Sequence, residues 1–308
     1  MPKYPNLIIA GVNKGGTTSL FSYLTTHPDV CGSSIKETCF FLPTRYGEVQ
    51  PPISEYAKFF SHCSGQRYVL ESTPGYFYGG RAIAEALRRE LGPIRILIIF
   101  RDPADRLFSF YRFMKSMLKL DSAVDMAEYV RRCNALPMAE KRRRENNPYW
   151  GVEGGYYANY LPEWFEVFED SLKVVFFDDL KTDPVGIMRD VCHWLEIDPS
   201  VFTDRERLRV ENRTMSFRFA SCHRVALAMN KRGEKLFRSH PRLKLALRSI
   251  YARINEGKDQ ERLSPEARTW LNNLYTEHNT RLGVLLTSRG YKKLPTWLAP
   301  ERAEVSLR

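Results

Sequence analysis

Residues Gly11 to Ser19, Gly-Val-Asn-Lys-Gly-Gly-Thr-Thr-Ser, combine small residues, hydroxyls and one lysine in the pattern of a loop that cradles phosphate. A short apolar run, Leu7-Ile8-Ile9-Ala10, leads into them, and a helix-like stretch, Ser19 to Leu24, leads away. Strand, glycine turn and helix in that order aim several backbone N–H groups, and the positive end of the helix dipole, at one point that suits an anion. The ATP-binding form of such a loop is Gly, four residues, then Gly-Lys-Ser/Thr. Gly11, Gly16 and Thr18 fit that frame, but Thr17 fills the lysine slot and Lys14 lies three positions earlier. The displaced lysine argues for a phosphate ligand and against ordinary ATP hydrolysis. A glycine-rich turn that binds nothing is the plainer alternative.

A second cluster, Arg101-Asp-Pro-Ala-Asp-Arg106-Leu-Phe-Ser109-Phe-Tyr111, follows the most apolar run of the chain. Asp102 can cap a helix that Pro103 begins, which leaves Arg101 at the end of a strand beside a helix N-terminus. Ser109 falls two turns into that helix, where its hydroxyl could share an anion with the guanidinium fork, a pairing suited to a terminal phosphate monoester. A purely structural arginine is the alternative. Glu37, next to Lys36, reads by residue type alone as a surface carboxylate in an ion pair.

Taken together, Lys14-Gly-Gly-Thr-Thr-Ser19 and, about eighty residues on, Arg-Asp-Pro-x-x-Arg-x-x-Ser-x-Tyr resemble the sulfotransferases that use 3′-phosphoadenosine 5′-phosphosulfate (PAPS). The chain is most similar to the heparan-sulfate type. Matching stretches include Lys36-Glu37-Thr-Cys-Phe40-Phe41, Glu71-Ser-Thr-Pro74-Gly-Tyr76-Phe77, Gly155 to Trp164 and Asp179 to Pro184. The resemblance covers most of the chain and is densest from Leu7 to Leu195. It implies a P-loop-like α/β fold, a parallel sheet flanked by helices on both faces, and direct transfer of the sulfuryl group from PAPS to a hydroxyl or amine of a saccharide, glycolipid or metabolite.

By the same resemblance, Glu37 is the catalytic base and Lys14 stabilises the departing phosphate. Lys14, Gly15, Gly16, Thr17, Thr18 and Ser19 hold the 5′-phosphate, while Arg101 and Ser109 hold the 3′-phosphate. No metal is demanded, and 3′-phosphoadenosine 5′-phosphate (PAP) is the product. Two departures stand out. Ser72 replaces a lysine common in glycan-directed members, and the lysine- and glycine-rich closing loop, usually beside a disulfide, is not recognisable. Asn212 to Arg218 takes its place, which makes Arg213 and Arg218 candidate donor contacts.

The elements that must position these groups read as strands at Leu7 to Ala10, Tyr68 to Glu71, Ile94 to Arg101 and Leu172 to Phe177. Helices are expected over Thr17 to His27, Gly80 to Leu91, Pro103 to Leu118, Ala158 to Phe168 and Val185 to Leu195, and from Pro265 with Ser264 as its cap. Alternation of the two types is the pattern of a doubly covered parallel sheet, whose ligands gather beyond the strands' carboxyl ends. Ala135 to Tyr149 reads as an exposed, substrate-facing loop. The 308 residues fit one domain, a core sheet over about 1–200 and a basic, mostly helical part over about 201–308.

The stretch from Asp204 to Lys258 carries fifteen Lys/Arg against five Asp/Glu, nearly all of the net charge of +11. It could touch a membrane surface, and no nucleic-acid-binding pattern accompanies it. The six cysteines lack CxxC spacing, so neither a zinc site nor a disulfide framework is expected. The apolar runs fall short of a membrane span, and the first strand leaves no room for a signal ahead of it, so a cytoplasmic location is expected. Two other function classes stay open at this level: a nucleotide-dependent phosphotransferase, and a module that binds anionic surfaces or nucleic acid. The oligomeric state is not legible.

Overall fold

The computed structural model describes residues 3–204 and 262–298, with a few isolated positions between them. Five strands, β1 (Leu7–Gly11), β2 (Val30–Gly32), β3 (Tyr68–Ser72), β4 (Arg95–Phe100) and β5 (Leu172–Phe176), form one sheet in the order β2-β3-β1-β4-β5. All four pairings are parallel. Around the sheet stand α1 (Thr17–Leu24), α2 (Gly80–Leu91), α3 (Pro103–Ser116), α4 (Met126–Ala135), α5 (Leu161–Phe168), α6 (Pro184–Leu195) and α7 (Pro265–Ser288).

Strands covered on both faces must be apolar on both, and β1, LIIAG, is buried at every position. Its alternate side chains feed two separate cores. Ile8 joins Ile96, Ile98, Phe100 and Val174 under residues of α2 and α5, with Phe77 and Trp164 at the centre. Leu7 and Ile9 join Leu97, Ile99 and Val175 under α1 and α6. A third core, around Leu107, Tyr111, Tyr129 and Tyr275, packs α3, α4 and α7 together. The layered α/β fold expected from the sequence is the one found.

Several boundaries differ from expectation for local reasons. The first helix ends at Leu24, not His27. The His27 ring is committed elsewhere: its Nδ1 accepts from the Asp29 amide at 3.0 Å and its Nε2 lies 2.9 Å from the Asp198 carbonyl. Strand β2 has three residues, one a glycine, and helix α4 fell within a stretch that carried no expected element. The Ala135 to Tyr149 segment is built of a short helix, Met138–Lys141, and a 3-10 turn, Arg144–Tyr149. Ser264 caps α7 as expected, accepting from the Ala267 amide at 3.1 Å. Leu271 and Leu282 of that helix are buried, whereas Trp270 is 42% exposed.

The cysteine expectation needs correction. Cys31, in the middle of β2, and Cys63 form a disulfide with Cα atoms 5.7 Å apart. The chain between them turns back through a short helix, Ile53–Ala57, and a 3-10 turn, so the fold rather than any spacing rule brings the sulfurs together. His62 lies beside them, and among the described residues these three form the one cluster of metal-ligating types close enough to share an ion. At the opposite margin of the sheet, the outward amide of Val174 in β5 donates to the Tyr291 hydroxyl at 2.8 Å. Among the described residues no helix is long and apolar enough to cross a membrane.

Candidate active site

The carboxyl ends of β1, β3 and β4 meet at one opening, and each contributes a chemically distinct group. From β1 the chain enters the glycine loop. The Val12 amide donates to the Ile99 carbonyl at 3.1 Å, which ties the loop's first turn to β4. Gly16 has φ 101°, in the left-handed region, and a Cβ there would lie 2.6 Å from the Phe177 ring. Only glycine fits such a position. Gly16 is also the N-cap of α1 and no side chain caps that helix. The first intrahelical bond runs from the Leu20 amide to the Gly16 carbonyl, so the amides of Thr17 and Thr18 precede it and point out of the helix start.

Gly15 behaves differently from the expectation that its amide holds phosphate. That N–H donates inward to the Val12 carbonyl at 2.9 Å. Its lack of a side chain is what matters, since a Cβ would meet the Ile99 carbonyl oxygen at 2.7 Å.

Lys14 lies in the left-handed region at φ 66°. Its Nζ sits 4.5 Å from the centre of the Phe113 ring. Burial, then the neighbouring Arg101 charge, pulls the ammonium down to about 8, with Arg112 and Lys36 acting the same way and Glu37 acting against them. Three cations and one carboxylate therefore surround Lys14, an arrangement that gains from an added anion.

Arg101 closes the same opening from β4. Its Nη1 donates to the Lys14 carbonyl at 3.3 Å, its guanidinium carbon lies 4.8 Å from the Phe177 ring centre, and its carbonyl accepts from the Tyr157 hydroxyl at 2.8 Å. Arg101 Nε is buried without a partner among the described residues. A cation held this way has donor capacity left over for a ligand. Asp102 caps α3 as the sequence suggests, its Oδ1 accepting from the Ala104 and Asp105 amides at 2.8 and 3.1 Å. Ser109 is half-buried on α3, one turn before Phe113 on the same helix face, and Phe113 is the ring beneath Lys14.

Glu37 comes to this opening from the loop after β2. Its amide donates to the Ser72 carbonyl at 3.0 Å, at the end of β3. The side chain is half-exposed and its Oε1 accepts from Lys36 Nζ at 2.7 Å. The ion pair that residue type alone suggests is thus present, and the same carboxylate acts on the Lys14 ammonium. Burial, then the charges of Glu37 and Glu71, push the Cys39 thiol up to about 11, which places both carboxyls around one loop.

The structure therefore brings Lys14, Gly15, Gly16, Thr17, Thr18, Ser19, Glu37, Arg101 and the Ser109 helix to one side of the sheet. Arg213 and Arg218 lie outside the described residues, as does most of the basic stretch after Asp204. Phe113 and Phe177 were not singled out from the sequence, and the buried Glu71 was read only as part of the Glu71-Ser-Thr-Pro74 stretch at a strand's carboxyl end, with no role of its own. Phe113 had a signal, being four residues beyond Ser109; Phe177 and Glu71 looked like the tails of apolar strands.

The family model of the sulfotransferase domain matches residues 85–241, just over half of the chain. The chain belongs to the sulfotransferase domain family. This sulfotransferase domain is 26% identical over 312 residues to the human bifunctional heparan sulfate N-deacetylase/N-sulfotransferase 3, covering 98% of the chain and 32% of that protein. It is 28% identical over 198 residues to the human heparan sulfate glucosamine 3-O-sulfotransferase 5, covering 64% of the chain and 55% of that protein. The chain thus spans about a third of the length of the first of these relatives. A sulfotransferase structure from Alicyclobacillus acidocaldarius superposes with a TM-score of 0.67 at 20% identity, over 96% of this chain and all of that one, a likeness of fold. The matched family region begins within α2 and so includes Arg101 and Ser109 but neither the glycine loop nor Glu37.

Proposed function

We propose that this domain transfers the sulfuryl group of PAPS to a hydroxyl or amine of a small-molecule or glycan acceptor. The observation that carries the reading is the bond from Arg101 Nη1 to the Lys14 carbonyl, because it joins the two anion-seeking clusters at one opening. A donor with phosphates at both ends of a nucleoside can then lie with its 5′ end on the α1 N-terminus and its 3′-phosphate against Arg101 and Ser109. The uncapped helix start, the crowding of cations around Lys14 and the buried Arg101 Nε, without a partner among the described residues, all fit such a ligand.

In this arrangement Lys14 stands where charge develops on the departing phosphate oxygen. Glu37, on the loop after β2, accepts the acceptor's proton, a role that requires reach more than a shifted pKa. A phosphotransferase fits less well. Such an enzyme needs a magnesium-holding aspartate after a strand. Asp102 after β4 is spent on the α3 cap, and Asp178 after β5 accepts from the Trp297 indole at 3.1 Å.

Calorimetry with PAP and with adenosine diphosphate, which lacks the 3′-phosphate, tests the reading. Tighter binding of PAP is expected, by tenfold or more, and the preference should vanish in Arg101→Ala. Equal binding of the two nucleotides would overturn it. A cytoplasmic location remains part of the proposal and makes the Cys31–Cys63 bridge the point to test, since disulfides are rare in reducing compartments. Thiol alkylation in intact cells should then find both sulfurs reduced; a fully oxidised pair would move the protein to an oxidising compartment.

A further inference from the structure

The loop that carries Glu37 holds an unusual backbone. Glu37 and Cys39, neither of them glycine, have φ of 64° and 57°. Left-handed residues of this kind persist only where their surroundings over-determine them. Three of its backbone anchors come from one stretch, residues 72–76. The Glu37 amide donates to the Ser72 carbonyl at 3.0 Å, the Cys39 amide to Thr73 Oγ1 at 3.1 Å, and the Phe41 amide to the Tyr76 hydroxyl at 3.2 Å.

Behind these anchors lies Glu71, fully buried at the end of β3. Its Oε1 accepts from Thr38 Oγ1 at 3.1 Å and from Thr73 Oγ1 at 2.5 Å. A hydroxyl that has given its proton to Glu71 has only lone pairs left to offer. Thr73 offers them to the Cys39 amide, and Thr38 to the Phe40 amide at 3.4 Å. Glu71 thereby decides which way both hydroxyls point.

We propose that Glu71 is a positioning residue for sulfuryl transfer, its buried carboxyl acting through Thr38 and Thr73 to lock the loop that presents Glu37. The proposal rests on the reading of Glu37 as the base. It requires a neutral carboxyl. Among the described residues Glu71 Oε2 is buried without a hydrogen-bond partner, as is Ser72 Oγ, and a bare negative oxygen in that place would be unsolvated. Burial pushes the carboxyl up to about 7, against hydrogen bonds from Thr73 and Thr38 and the Lys36 charge. The other titratable groups coupled to it are Tyr56, Tyr76 and Cys39, the last also facing Glu37.

Hydrogen exchange of the segment 36–42, corrected for intrinsic rates between about pH 4.5 and 8, tests this in the wild type, Glu71→Gln and Glu71→Ala. Glu71→Ala should lose tenfold or more of the protection of the Glu37, Cys39 and Phe41 amides while the β1 and β4 amides and PAP affinity are kept. Glu71→Gln, whose amide oxygen can accept both hydroxyls, should keep the protection. Wild-type protection should fall as pH rises from about 4.5 toward about 7 and level off above it, and the Gln variant should show no such fall. In a PAPS turnover assay, Glu71→Ala should lower kcat at least tenfold with the KM for PAPS unchanged. Unchanged loop protection in Glu71→Ala overturns the proposal, as does a Gln variant as exposed as the Ala one. If Glu71→Ala does not fold, the pH comparison of wild type with Glu71→Gln decides. Failure of the wild type to bind PAP would sink the sulfotransferase reading and leave the exchange result standing.

Discussion

The lowered value of Lys14 has a direct thermodynamic signature. With the ammonium brought down to about 8 by burial and by Arg101, roughly half of it is neutral at pH 8 in the free protein. A phosphate group placed beside it favours the charged form and returns the lysine toward or above its ordinary value of 10.5. Binding PAP at pH 8 should therefore draw in about 0.5 proton per site, about 0.1 at pH 7 and about 0.9 at pH 9. The ligand contributes little above pH 8, because a phosphate monoester's second ionisation lies near about 6. Titration calorimetry in buffers of different ionisation enthalpy reads the uptake as the slope of observed heat against buffer heat. Lys14→Arg should bind PAP with that slope abolished, since its guanidinium is charged throughout. A flat slope for the wild type at pH 8, or one unchanged in Lys14→Arg, would refute the placement of Lys14 against the ligand's phosphate.

Glu37→Gln should keep PAP affinity in calorimetry and lose about 10²–10⁴ in turnover of PAPS with an acceptor the wild type uses, the range for a positioned base; retained turnover moves the base elsewhere. Gly16→Ala combines a positive φ with a 2.6 Å approach to Phe177, so thermal denaturation should show a loss of at least about 1–3 kcal/mol, with PAP binding lost as well. Cys31→Ser removes a cross-link across a sequence separation of 32, and the chain-entropy model puts the loss near ~4 kcal/mol, to be read from the denaturant midpoint of the oxidised protein and its mutant. An unshifted midpoint would mean that the bridge constrains nothing.

What could be read in advance was the part that depends on local pattern. Four strands and the α1, α2, α3, α5, α6 and α7 helices followed from apolar periodicity, caps and prolines, and the glycine loop followed from the need for amides at a helix start. What escaped depends on contacts between distant segments. Strand β2 exists because Val30, Cys31 and Gly32 pair with Tyr68, Val69 and Leu70, and three residues ending in glycine carry no strand signal of their own. The Cys31–Cys63 bond follows from that pairing. At the site, the inward turn of the Gly15 amide is a property of the finished turn. Glu71 read as the polar end of an apolar strand, and only the return of the Glu37 loop onto β3 shows what its carboxyl supports.

A strand at the margin of a sheet offers alternate amides to whatever comes near, and such a row is a template for a foreign chain. On β5 one of these donors is already answered from within, by the phenol of Tyr291 just past the end of the last described helix. That contact ties the segment after α7 to the rim of the sheet, beside the apolar packing of Leu282 and Leu286, and occupies one of the donors a stranger would use. A phenylalanine there would keep the packing and leave that donor open.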